Sequence, residues 1–142
     1  MGVVKDLNGL VRLFFPPVVY EQAEIAQAIA GNERVLFHAV AAYEAVHLTT
    51  LVVTPSALYV NSATDPREVG HTKIAVRIPL LALQTVELKR NNLFERLMWQ
   101  VRPESLVATS RSGRVRRFFF LRQKKDSAKS LLDAVSSAIE DI

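Results

Sequence analysis

The sequence predicts a mainly β domain with helices: a seven-stranded antiparallel barrel closed by a C-terminal helix and preceded by a helical extension. Three observations carry that prediction. At 142 residues the chain has the length of one domain, and such a domain buries about two-thirds of the surface its unfolded chain exposes. From residue 33 onward the apolar residues come in short strand-like runs, separated by Pro, Gly, Asn and Asp. The chain then ends on a strand, Val115–Leu121, whose two faces are both apolar, followed by a helix from Asp126 that is apolar on one side. A two-faced strand followed by a one-faced helix describes a curled sheet whose last strand is covered by the helix after it.

The elements follow in order. Val3, Val4, Leu7, Leu10, Val11, Phe14 and Phe15 fall at helical spacing, and Pro16 and Pro17 stop that helix. A second helix over 20–30 ends at Gly31 and Asn32, a left-handed cap. Together they form an extension over 1–32, ahead of a domain over 33–142. The opening superficially resembles a secretory leader, but Arg12, Pro16 and Pro17 break its apolar run and Glu21 and Glu24 precede the small-residue site. No run approaches the roughly 18 apolar residues of a spanning helix, so the expectation is a soluble, cytoplasmic protein able to touch a membrane surface.

Strands are expected over 35–44, 48–54 and 57–62, then a polar loop over 61–73 marked by Asp65, Pro66 and Gly70. A strand over 73–78 places Ile74, Val76 and Ile78 on one face, Pro79 stops it, and 83–89 returns. Residues 93–101 read as a short helix opened by an Asn92/Glu95 capping box, or as an apolar loop, with Pro103 ending it. A hairpin of 106–110 and Val115–Leu121 turns at Gly113. In the final helix Ala128, Leu131, Leu132, Val135, Ala138, Ile139 and Ile142 draw one stripe, with Asp126 or Ser127 as its cap.

Particular residues add to this order of elements. Glu33, Arg34, Val35 and Leu36 open the first strand, and 51–54 is followed by Leu58, Tyr59 and Val60. Ile78, Pro79 and Leu80 then lead to 83–87, with 106–113 and 118–120 completing the set. Over 33–142 the sequence resembles the bacterial pleckstrin-homology-like domains, relatives of the GRAM domains. That resemblance implies a binding module without catalysis. The basic first hairpin that phosphoinositide-binding relatives use is not carried over, because residues 39–50 offer only His47.

Composition narrows the chemistry. Without cysteine there is no thiolate zinc site, cysteine nucleophile or disulfide framework, and a reducing compartment is expected. His38, His47 and His71 lack metal-ligand spacing, and neither a Gly-x-Ser-x-Gly elbow, a Walker loop nor a dinucleotide fingerprint is present. No enzyme activity, metal or cofactor is expected. The net charge of +4 conceals an asymmetry, since residues 105–125 carry seven bases and no acid.

Two candidate sites follow. Arg111, Arg114, Arg116, Arg117, Arg122, Lys124 and Lys125 form a basic hairpin suited to anionic lipid or an acidic partner, or else a charged strand edge that resists edge-to-edge pairing. In its strand Arg114, Arg116 and Arg122 share a face with Phe118 and Phe120. Leu93, Phe94, Met98 and Trp99 form an apolar group, read as a partner or membrane contact or as a lid over the barrel's end. The expected function is a binding or assembly module for a protein partner or a second copy of itself. The alternative is a peripheral module for anionic membranes using the basic hairpin and the first helix. Nucleic acid ranks third, because the aromatics beside the arginines have the pattern of core residues.

Overall fold

The computed structural model describes residues 20–44 and 47–142, so the helix expected over 3–15 lies outside the described residues. Helix α1 (Gln22–Ala30) leads into β1 (Phe37–Tyr43), β2 (His47–Val53) and β3 (Ala57–Asn61). A 3-10 turn (Pro66–His71) precedes β4 (Ala75–Pro79), and a second (Leu80–Ala82) joins it to β5 (Leu83–Arg90). Helix α2 (Leu93–Met98), β6 (Val101–Ser110), β7 (Val115–Leu121) and α3 (Ala128–Glu140) complete the chain. The seven strands form one sheet in the order β4-β3-β2-β1-β7-β6-β5, antiparallel at every junction. It curls into a half-barrel with β4 and β5 as its two edges, and α3 lies across the interior.

Alternation explains which side chains enter the core. Leu51 and Val53 of β2, Leu58 and Val60 of β3, Leu106 of β6 and Phe118 and Phe120 of β7 all point inward and meet Leu131 and Val135 of α3. Tyr43 stacks on Phe118 at 5.5 Å between ring centroids. Residues 49–53 are buried on both faces of β2, because α1 covers the outer side: Ile25, Ala26 and Ile29 close over Val52. The run of Thr, Val and Leu there thus serves two cores. Gly31 ends α1 at the predicted place with φ 68° and ψ −118°, a positive-φ backbone that glycine adopts at no steric cost but not the left-handed helical cap expected.

Two further local expectations change, and one left open is decided. β6 does not wait until 106 but runs through Pro103, and a shift in register between Val101 and Ser105 absorbs the proline, which cannot donate to a ladder. The cap of α3 is Ser127, paired with Ser130 in a reciprocal box, and Asp126 plays no part in it. The apolar stripe of α3 is buried at Ala128, Leu131, Val135 and Ala138, whereas Ile139 and Ile142 are exposed because the last turn runs past the core.

Candidate functional site

Of the short helix and the apolar loop left open for residues 93–101, the structure has the helix, α2, with its capping box in place. The Asn92 side chain accepts from the Glu95 N–H at 2.7 Å, and the Glu95 carboxylate accepts from the Asn92 N–H at 3.0 Å. A helix of six residues has too few internal hydrogen bonds to hold itself, so its position must come from outside. Arg117 on β7 supplies it. Its guanidinium donates to the Glu95 carboxylate at 3.2 Å, to Asn91 Oδ1 at 2.7 Å and to Ser105 Oγ at 2.8 Å, and it lies 4.4 Å above the ring of Phe119. The Asn91 side chain in turn donates to the Arg102 carbonyl at 2.8 Å.

These polar pins hold α2 against the outer face of β6 and β7 while leaving its apolar side chains outside. Leu93, Phe94, Leu97 and Met98 are 63–67% exposed, and none of the six helix residues is buried. Trp99 follows, edge-on to Phe119 at 5.5 Å, and Gln100 closes the turn at φ 49°, in the left-handed region. Beside Trp99 a cavity of about 280 Å³ opens between His47, Leu48 and Leu121. Leu48 is itself exposed. Leu93, Phe94, Leu97 and Met98 thus stand exposed on α2, with Trp99 at its end facing Leu48 across the cavity.

The basic residues do not form one patch. Arg111 donates to the Leu81 carbonyl at 2.9 Å, and Arg114 reaches the Tyr43 hydroxyl at 3.4 Å and Glu44 at 3.7 Å, both at the hairpin's turn. Arg116 is half-buried on the inner side and donates to Ser110 Oγ at 3.2 Å, with its Nε unpartnered. Arg117 is committed to α2 on the opposite face. At the far end Arg122 donates to the carbonyl of Arg96 on α2 at 3.1 Å, and Lys124 and Lys125 stand exposed on a linker that Arg102 holds through their carbonyls.

His38, His47 and His71 lie on β1, on β2 and in the first 3-10 turn, and no metal-binding group of His, Asp and Glu occurs among the described residues. One polar cluster had no signal in the sequence. Glu33 accepts from the Tyr59 hydroxyl at 2.8 Å and from Ser56, while Arg77 donates to both of those hydroxyls at 3.2 Å. The hydroxyls of Ser56 and then Tyr59 hold the Glu33 carboxyl below its usual pKa. The cluster ties the segment before β1 to β3 and β4. Among the described residues no helix is long and apolar enough to cross a membrane.

No protein-family model matches the chain, and no curated protein matches it. Solved structures do. The C-terminal domain of an unknown protein from Leishmania infantum is similar with a TM-score of 0.53 at 12% identity, over 91% of this chain and 97% of that one. Autoinhibited Vav1 is similar with a TM-score of 0.54 at 11% identity, over 98% of this chain; this chain spans 24% of that one. At such identities the likeness shows the fold alone. Together with the curled antiparallel sheet and its covering C-terminal helix, it fits a pleckstrin-homology-like fold.

Proposed function

We propose that this domain is a non-enzymatic binding module that docks a protein partner, a second copy of itself included, on the apolar surface of α2. The observation that carries the reading is the mounting of Leu93, Phe94, Leu97 and Met98 in water by the Arg117–Glu95–Asn91 pins. Soluble monomers seldom leave several large apolar side chains contiguous and exposed, and a patch held rigid loses little entropy when it is covered. The charge-free helix face with cations to one side is the anatomy of an interface core and its rim.

Sedimentation over a range of concentrations tests this. The expected result is self-association that Phe94→Glu with Leu97→Glu disperses while the melting temperature stays unchanged. Unchanged association in that variant would overturn the reading.

A second reading has its own observation: Arg122 sits at the Arg96 carbonyl, so a cation stands beside the apolar surface. That pairing suits a peripheral module for anionic membranes. A wild-type protein that stays monomeric and adsorbs to anionic vesicles through Phe94 and Leu97 would replace the protein partner with the membrane.

A further inference from the structure

The sheet parts between β1 and the linker that joins β7 to α3. β1 pairs with β2 along its whole length, from Phe37 opposite Val53 to Tyr43 opposite His47. Its ladder to β7 holds only Ala42 opposite Phe119 and Tyr43 opposite Phe118, followed by the Glu44 N–H donating to the Arg117 carbonyl at 3.0 Å. Backbone groups in a strand point alternately to its two neighbours, so the residues in step with Glu44 and Ala42 direct their N–H and C=O toward β7. Val40 and His38 are the next in that step. No β7 residue is paired with either, and among the described residues their polar groups find no backbone partner on that side.

The gap is a cleft of about 660 Å³. Phe37, His38 and Val40 form one wall, and Lys124, Lys125 and Asp126 form the other. Among the described residues neither lysine has a carboxylate within ion-pairing distance, and the linker that carries them is fixed by Arg102 through its carbonyls. One wall thus offers, among the described residues, the outward N–H and C=O groups of His38 and Val40, on a strand whose other side is already paired to β2. The other offers two cations against one anion.

We propose that this cleft takes an extended acidic peptide segment of a partner protein as an added strand along β1. A small anion would satisfy the lysines and leave the Val40 and His38 backbone groups unpaired. A neutral strand would pair with that backbone and leave the lysines without complement. Only an extended chain bearing carboxylates answers both walls, with its main chain giving affinity and its alternate side chains meeting Lys124 and Lys125. The cleft uses no residue of α2, so this site stands or falls apart from the docking surface there.

The test uses the whole chain and two short blocked peptides, one alternating valine with glutamate and the other valine with lysine. In the free protein the His38 and Val40 amides should exchange rapidly with solvent. The glutamate peptide should slow both and shift their resonances, the lysine peptide should do neither, and inorganic phosphate should leave the two amides unprotected. Lys124→Glu with Lys125→Glu should weaken the glutamate peptide by about tenfold or more at an unchanged melting temperature, and Phe94→Glu with Leu97→Glu should not affect it. The proposal is overturned if the two amides are already protected in the free protein, if both peptides bind alike, or if phosphate alone reproduces the response.

Discussion

Arg117 and Glu95 meet at 3.2 Å between β7 and α2, with their side chains 22% and 13% exposed, and the contact decides whether α2 has a fixed place. A largely desolvated pair that also bonds Asn91 and Ser105 differs from a surface salt bridge, because removing one partner strands the others. Arg117→Ala should therefore cost about 2 to 3 kcal/mol in a denaturant melt. Arg117→Lys should recover only part of that, since an ammonium cannot reproduce the planar fork. Amide exchange over residues 95–99 should accelerate in both variants. Unchanged exchange there would mean that α2 is held by something other than Arg117.

The last helix gives a sharper contrast than its sequence does. Leu131 is fully buried, whereas Leu132 is packed at the margin of the same core. Leu131→Ala should cost about 2 to 5 kcal/mol, and Leu132→Ala should cost distinctly less. Equal losses in the two variants would mean that α3 is rotated from this placement.

The Glu33 cluster predicts a pH dependence. Its carboxyl is held below its usual pKa in the folded chain, first by the Ser56 hydroxyl and then by that of Tyr59. A depressed folded pKa contributes stability above the unfolded pKa, and that contribution is lost as pH falls through the folded value. The window therefore lies in the acid range, at and below the ordinary glutamate pKa. Melting temperature should fall with acid across that window, and Glu33→Gln should flatten the fall while lowering stability at neutral pH. An identical acid profile in the variant would show that the cluster contributes nothing. The group is well exposed, so the effect should be modest.

What was legible in the sequence is what alternation and capping control. The shared face of Phe118 and Phe120, the Asn92/Glu95 box and the glycines that end α1 and turn the last hairpin follow from neighbours within a few residues, and each appears in the structure. The pairing of Arg117 with Asn91 and Glu95 joins residues 22 to 26 positions apart, and no local pattern announces it. One hint was present, since Arg117 shares a strand face with Phe119 and not with the other arginines of that strand. The parting of β1 from β7 is invisible from either strand alone, because it depends on where the chain leaves β7 for α3. Pro103 misled for a related reason: a proline stops a ladder only where its missing N–H is needed, and the register shift in β6 removes that need.

The seven cations of the last hairpin yield the final prediction. Arg111 and Arg114 stand at its turn, and Arg122, Lys124 and Lys125 stand at its other end. The eight steps from Arg114 to Arg122 span about 26 Å at 3.3 Å per residue. That is about three Debye lengths at physiological salt, so the two groups act independently on an approaching surface. Only the second group adjoins α2, through the bond from Arg122 to the Arg96 carbonyl. If the domain adsorbs to anionic vesicles, cations beside an apolar surface should reinforce it and distant ones should not. Changing Arg122, Lys124 and Lys125 together to Gln should then remove the salt-sensitive part of adsorption, at about 1 kcal/mol per charge. Changing Arg111 and Arg114 to Gln should leave most of it. Both variants should melt near the wild type, because these side chains are largely exposed and their bonds lie at the surface. Equal losses in the two variants would show a diffuse charge effect, and no adsorption by the wild type at low salt would leave protein docking on α2 as the reading that stands.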